Sequence, residues 1–341
     1  MSENNKTKDI EYWQSERVAF CALQSLHGVG FKTLHKLVRN VDSLKAFIKN
    51  SSADEFAKTL RIKLEPTLHE VEHSWKAFQQ QLWADGISLL KKLAKDKVQV
   101  VFSQESLFPE KLRAIDKPPL WLFVQGSLEN LNKASVALVG SRQCSQDGYW
   151  LSKYIHSILH KKNLVTVSGL AEGIDQSVHY ESLRFGIPTV AVLGTGIDSN
   201  FPKGSEILRA DILANGGTVV TEYLVGQSYS ASNFVQRNRI QAALSDCLIP
   251  LEWKIKSGTA HTVNFAKDYG RLIAMLCLPD SDENNPERKF IESYQKGMVF
   301  QVPHQTADVE EYILSLVDEN KPPKTSSEPV NPKKEQFKLD L

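Results

Sequence analysis

The stretch Val136-Ala-Leu-Val-Gly-Ser-Arg142 constrains this chain more than any other. An apolar run passing straight into Gly, Ser and Arg reads as a short buried strand that ends in a tight turn. Two more units of the same form follow, Leu164-Val-Thr-Val-Ser-Gly169 and Thr189-Val-Ala-Val-Leu-Gly-Thr-Gly196. Each precedes a segment able to open a helix. Strands that are nearly all apolar must be covered on both faces, and strands separated by helices pair in parallel. The three turns therefore fall at one edge of a parallel sheet. Helix N-termini and free backbone N–H groups gather there and favour phosphate. The expected ligand is a nucleotide or a nucleic acid.

The alternation extends in both directions. Strands are predicted at 98–102, 121–125, 136–140, 164–168, 189–193, 218–222, 247–251 and 272–277. Helices are predicted at 148–161, 174–185, 205–215, 234–244 and 259–269. The fold class is α/β, an extended Rossmann-like parallel sheet over residues 96–318, preceded by a small all-helical domain over 1–95. In that first part the apolar residues recur at three- and four-residue spacing, the mark of amphipathic helices. Leu26-His-Gly28-Val-Gly30-Phe-Lys-Thr33-Leu34 has the form of a helix-hairpin-helix. Its turn can present backbone N–H groups to a DNA phosphate, or it can be a glycine-rich connector between packed helices. Residues 319–341 are polar and rich in proline, and a disordered tail is expected there.

A net charge of +1 excludes a surface that grips nucleic acid everywhere, so a nucleic-acid site must be local. The four cysteines are far apart and form no C-x-x-C pair, which fits a reducing compartment and argues against a zinc site. The N-terminal Met1-Ser-Glu-Asn-Asn-Lys lacks the apolar core of a signal peptide, and no apolar run is long enough to span a bilayer. A cytoplasmic protein with no membrane partner is expected.

Several residues carry chemistry at the strand ends. Arg142, just past a core strand, can hold a phosphate that backbone N–H groups already touch, or pair with Asp147. Ser168, Gly169 and Gly173 offer close backbone approach at the second turn. Asp175 can cap the following helix or orient an arginine, and His179 reads as a structural histidine. At the third turn, Phe201 beside Lys203 has the makings of a base-stacking platform with a phosphate contact, although a buried loop-corner Phe fits as well. In Asn233-Phe-Val-Gln-Arg237-Asn-Arg239, a helix puts Asn233 and Arg237 on one face and Arg239 elsewhere. One arginine is expected to bind ligand, and the other to fix the sheet edge. Ser257 and Gly258 follow Lys254 and Lys256 at another strand-to-helix turn. Neither a dinucleotide fingerprint nor a Walker loop is present, and no nucleophile elbow appears. The expectation is a binder with no cofactor and no enzymatic activity. A nucleotide sensor or a phosphoribohydrolase-like enzyme is the alternative, although no Pro-Gly-Gly-x-Gly-Thr segment is found.

Taken in order, these segments resemble the DNA-processing protein A family, DprA or Smf. The likeness runs over about 98–280. It begins at Phe108-Pro-Glu-Lys-Leu112 and Pro118-Pro-Leu-Trp-Leu-Phe-Val-Gln-Gly126. It continues through Val139-Gly-Ser-Arg142, Ser168-Gly-Leu-Ala-Glu-Gly-Ile-Asp175, Val192-Leu-Gly-Thr-Gly-Ile-Asp198, Asn233–Ile240 and Ser257-Gly-Thr259. The resemblance implies a pocket for single-stranded DNA, homodimerisation, and loading of a RecA-type recombinase in natural transformation. Its implied pocket is Arg142, Ser168, Gly169, Gly173, Phe201, Lys203, Arg237 and Arg239, with Ser257 and Gly258 at the rim. The chain departs from the family at Glu172, where a basic residue is usual, and at Leu251-Glu-Trp-Lys-Ile-Lys256, where a small, acidic stretch ending in Arg is usual. A third departure is expected after Asp318, where the polar, proline-rich stretch does not read as the winged helix that many members carry.

Overall fold

The computed structural model describes residues 3–317, with side chains from residue 9 onward. The tail expected at 319–341 lies outside the described residues. Six helices come first: α1 (Glu3–Ser25), α2 (Phe31–Asn40), α3 (Leu44–Asn50), α4 (Ala53–Leu60), α5 (Pro66–Glu70) and α6 (Glu72–Lys95). Nine strands follow: β1 (Val98–Phe102), β2 (Trp121–Gly126), β3 (Ser135–Gly140), β4 (Val165–Ser168), β5 (Thr189–Val192), β6 (Thr218–Thr221), β7 (Cys247–Glu252), β8 (Leu272–Cys277) and β9 (Gly297–Gln301). The helices among them are α7 (Glu110–Arg113), α8 (Gln146–Leu159), α9 (Ile174–Arg184), α10 (Glu206–Ala214), α11 (Ala231–Leu244), α12 (Gly258–Asp268), α13 (Pro286–Glu292) and α14 (Thr306–Ser315). The predicted strands all form. β9 was not anticipated, because Gly-Met-Val-Phe-Gln is short and follows a polar stretch.

The strands make one sheet in the order β1-β2-β6-β5-β4-β3-β7-β8-β9. From β6 to β9 every pairing is parallel, while β1 and β2 add antiparallel at one edge. Both faces are covered, as the apolar strands require. In β3, Val136 and Leu138 face one layer with α8, α9 and α14, while Ala137 and Val139 face the opposite layer with α11 and α12. The order reverses at β3, which has β4 on one side and β7 on the other. A crevice opens outside the carboxyl ends of the strands at such a switch point.

The helical region is joined to the sheet by a shared core. Phe20 of α1 packs against Phe102, Trp121 and Phe123 of β1 and β2, with ring centroids 4.8–6.1 Å apart. α1 and α6 approach closely at Gly86, where a Cβ would lie 2.4 Å from the Val18 carbonyl oxygen. The turn after α1 forms as expected. Gly28 takes φ +86, Gly30 caps α2, and Phe31 is packed between Trp121 and Tyr223. Among the described residues no helix is long and apolar enough to cross a membrane.

Candidate nucleic-acid interface

Gly140 ends β3, and the chain turns at Ser141 and Arg142. The turn is held from both sides. The Ser141 N–H donates to the Glu252 carbonyl at the end of β7 (2.7 Å), and the Ser141 carbonyl accepts the Ile174 N–H at the start of α9 (3.0 Å). The Thr259 hydroxyl of α12 donates to the Gly140 carbonyl (2.9 Å). Gly173 closes the arrangement with φ +79. A Cβ there would lie 2.3 Å from the Ser141 carbonyl oxygen, so the close approach and the positive φ both demand glycine.

These contacts frame a cleft of about 630 Å³ at the switch point. One wall is Arg142, Phe201, Tyr229 and Phe234; the other is Trp253, Lys254, Ser257 and Gly258. Phe201 lies 4.4 Å from Tyr229 and 5.2 Å from Phe234 between ring centroids, with the rings tilted by 30° and 37°. The exposed guanidinium of Arg142 stands 5.3 Å over the Phe234 ring and forms no ion pair with Asp147 or any other described residue. The wall therefore offers flat aromatic surface beside a free cation, which suits a base with its phosphate. Across the cleft, the Ser257 hydroxyl turns back to the Lys254 carbonyl (2.6 Å) and does not cap α12. Gly258 faces open space, with nothing within 4 Å of where a Cβ would sit. The first N–H groups of the eleven-residue α12 have no side-chain cap, and the helix dipole favours an anion at that end.

Part of the expected pocket belongs to the framework beneath the cleft. Ser168 is fully buried and donates to the Leu138 carbonyl (2.8 Å). Gly169 is buried under Arg237, whose Nη1 donates to the Gly169 carbonyl (2.7 Å) and also to the Val192 carbonyl. Arg237, expected at the ligand, is placed as a buried clamp across the ends of β4 and β5. Asp175 is not the cap of α9, a position that Gly173 holds. It accepts the Gly169 and Ala171 N–H groups and faces Arg237, and burial outweighs that arginine and raises its carboxyl above the ordinary range. Arg239 points away, as the helical phase required, and pairs with buried Glu222 at 2.5 Å. Both arginines therefore serve the framework, where one had been expected at the ligand. Lys203 is exposed on the loop after Phe201 and is not part of the cleft wall. Glu172 is likewise exposed outside it.

Other residues of the cleft were missed or undervalued. Tyr229 is 56% exposed in a Ser-rich loop, with no periodicity to mark it. Phe234 lies in the first turn of α11, the helix that carries Arg237 and Arg239. Glu252 accepts both the N–H and the hydroxyl of Ser145 at 2.9 Å, which ties α8 to β7. Burial and Glu252 push the Cys144 thiol up to about 12. His179 is structural as expected. It bonds Thr189 at 2.8 Å, and burial holds its pKa down at about 3.

The profile described as DNA recombination-mediator protein A matches residues 99–302, more than half of the chain. The chain belongs to that family. It is 38% identical over 169 residues to DNA processing protein DprA of Streptococcus pneumoniae and 33% identical over 174 residues to Smf of Escherichia coli. Those matches cover 49% and 51% of this chain and 58% and 46% of the relatives, so the chain spans about half the length of the proteins it matches. The crystal structure of the pneumococcal DprA superposes with a TM-score of 0.59 at 26% identity, covering 86% of this chain and 97% of that one. DNA processing protein A from Helicobacter pylori shares the fold with a TM-score of 0.54 at 22% identity, covering 63% and 96%.

Proposed function

We propose that this protein is a recombination mediator that holds single-stranded DNA in the cleft between β3 and β7 without catalysing a reaction on it. One observation carries the reading. Phe201, Tyr229 and Phe234 form an aromatic wall with the unpaired Arg142 guanidinium over one ring, facing the open end of α12. Stacking on flat rings tolerates any base, so little sequence preference is expected. In keeping with the family, a RecA-type recombinase is the proposed partner, the proposed assembly is a homodimer, and uptake of DNA in natural transformation is the proposed setting. The Helicobacter relative was described for its single-stranded DNA binding mode.

The commitments of the polar groups in the cleft favour binding over catalysis. Asp175 is fixed by two backbone N–H groups and Glu252 by Ser145. The test is fluorescence anisotropy with a labelled single strand, competed by blunt duplex and by mononucleotides. The single strand should win against both, with affinity falling as salt rises at a log–log slope of about −0.7 per phosphate neutralised. Tighter binding of duplex, or release of base or phosphate from a mononucleotide, would overturn the reading.

A further inference from the structure

We infer that α2 carries a second contact for the same single strand, so that DNA leaving the cleft is continued along the helical region. This rests on the reading of the cleft as a single-strand site. In α2 the residues Lys32, His35, Lys36 and Arg39 follow the i, i+3, i+4, i+7 spacing that places them on one stripe of a helix. Leu34 and Leu37 occupy the opposite, buried side. The helix contains no acidic residue. Lys32, Lys36 and Arg39 are exposed, and none forms an ion pair within 4 Å among the described residues. Asp42 shares a shallow groove with Arg39 and does not pair with it.

In a chain of net charge +1, an unneutralised stripe of three cations is a local excess. Three fixed positive charges along a ten-residue helix suit a flexible polyanion that can bend to meet them.

The fold puts the start of this helix close to the cleft. Phe31, the first residue of α2, lies 5.6 Å from Tyr223 between ring centroids. The Tyr223 hydroxyl donates to the Asn233 carbonyl at 2.9 Å, and Asn233 is next to Phe234 of the aromatic wall. Gln24 near the end of α1 accepts the Val225 N–H, which fastens the hairpin to the loop that leads to Tyr229. The start of α2 is therefore one aromatic layer from the cleft mouth. His35 packs against both Phe31 and Trp121, which ties this side of α2 to β2. On the inferred path, a strand stacked on Tyr229 continues past the start of α2 to these cations. The Gly28–Gly30 turn, which packing alone would explain, then also serves to aim the stripe.

The test compares the full-length chain with a Lys32→Ala/Lys36→Ala/Arg39→Ala variant on two labelled oligothymidylates, one of about 6 nucleotides, enough to fill the cleft, and one of about 25. The changes are on the exposed face, so melting should be unaltered, and Lys36→Arg should behave as the unaltered protein. The short strand should bind the variant and the unaltered protein equally. For the long strand, the variant should lose about fifty-fold at 0.15 M salt if three phosphates are released, with a log–log salt slope shallower by about 2. Equal loss on both lengths, no loss on the long strand, or a loss confined to duplex would overturn the inference. Failure of the unaltered protein to bind either strand would instead refute the cleft reading on which it rests.

Discussion

Replacing Arg237 with Met distinguishes a framework arginine from a ligand arginine. Arg237 is 3% exposed, and its guanidinium donates to the carbonyls of Gly169 and Val192, at the ends of two adjacent strands. Asp175, 7% exposed, faces it across the same space. Met keeps most of the volume but removes the charge and both donors. Two carbonyls lose a charged donor, worth ~1.5–3 kcal/mol each, and a buried carboxylate loses its countercharge. Breaking a buried charge pair in this way costs ~3–5 kcal/mol, and these contributions overlap, so the total belongs in that range. At about 2–4 °C per kcal/mol for a large domain, the melting temperature should fall by roughly 10 °C. Thermal unfolding followed by circular dichroism measures this, and anisotropy on the folded fraction should show little change in DNA affinity. A cycle with Asp175→Asn adds a second check. Once the carboxylate is neutral, the Arg237→Met cost should shrink by ~1–3 kcal/mol. An Arg237→Met protein that melts normally but has lost its DNA would refute the argument, because that is how a ligand contact behaves.

Arg142→Ala should do the reverse, weakening single-strand binding by ~1.5–3 kcal/mol in a titration while leaving the melting temperature unchanged. Tyr229→Ala should cost ~1–3 kcal/mol of affinity through lost stacking, and an unchanged isotherm would remove that ring from the binding wall. Gly173→Ala should destabilise the protein, because its Cβ meets the Ser141 carbonyl in a positive-φ conformation; soluble expression and melting of the variant check this. His156 is buried against Ser152 and Ser182, and burial holds its pKa down at about 4 against an ordinary 6.5. The unfolded chain therefore binds a proton more readily, and stability should fall as pH drops from about 6.5 to about 4, by ~3 kcal/mol for this residue. Denaturant midpoints across that window should fall less steeply in His156→Gln, and parallel profiles for the two proteins would exclude this origin.

Much of the architecture follows from local pattern. Val136–Val139 is apolar on both alternations, and Val165–Val167 and Thr189–Val192 break that only with a threonine each, as a doubly covered parallel sheet requires. The small-residue turns after them had to lie together at the carboxyl edge, so Arg142, Phe201, Ser257 and Gly258 could be placed near one site from the chain alone. The same pattern could not show that Ser168, Gly169 and Arg237 lie buried beneath the cleft. Periodicity says which residues share a face, but not what stands opposite that face. Arg237 faces inward on α11, and whether that direction leads to a ligand or to the ends of β4 and β5 depends on how α11 crosses the sheet. The strand order is also tertiary. The helices and strands after β6 are local events, but placing β7 beside β3 depends on which apolar faces match, and that pairing opens the cleft. The aromatic wall illustrates the point most clearly. Phe201, Tyr229 and Phe234 come from a loop, a second loop and a helix, with no common spacing, and they become one surface only because the chain crosses the sheet and returns to the same edge.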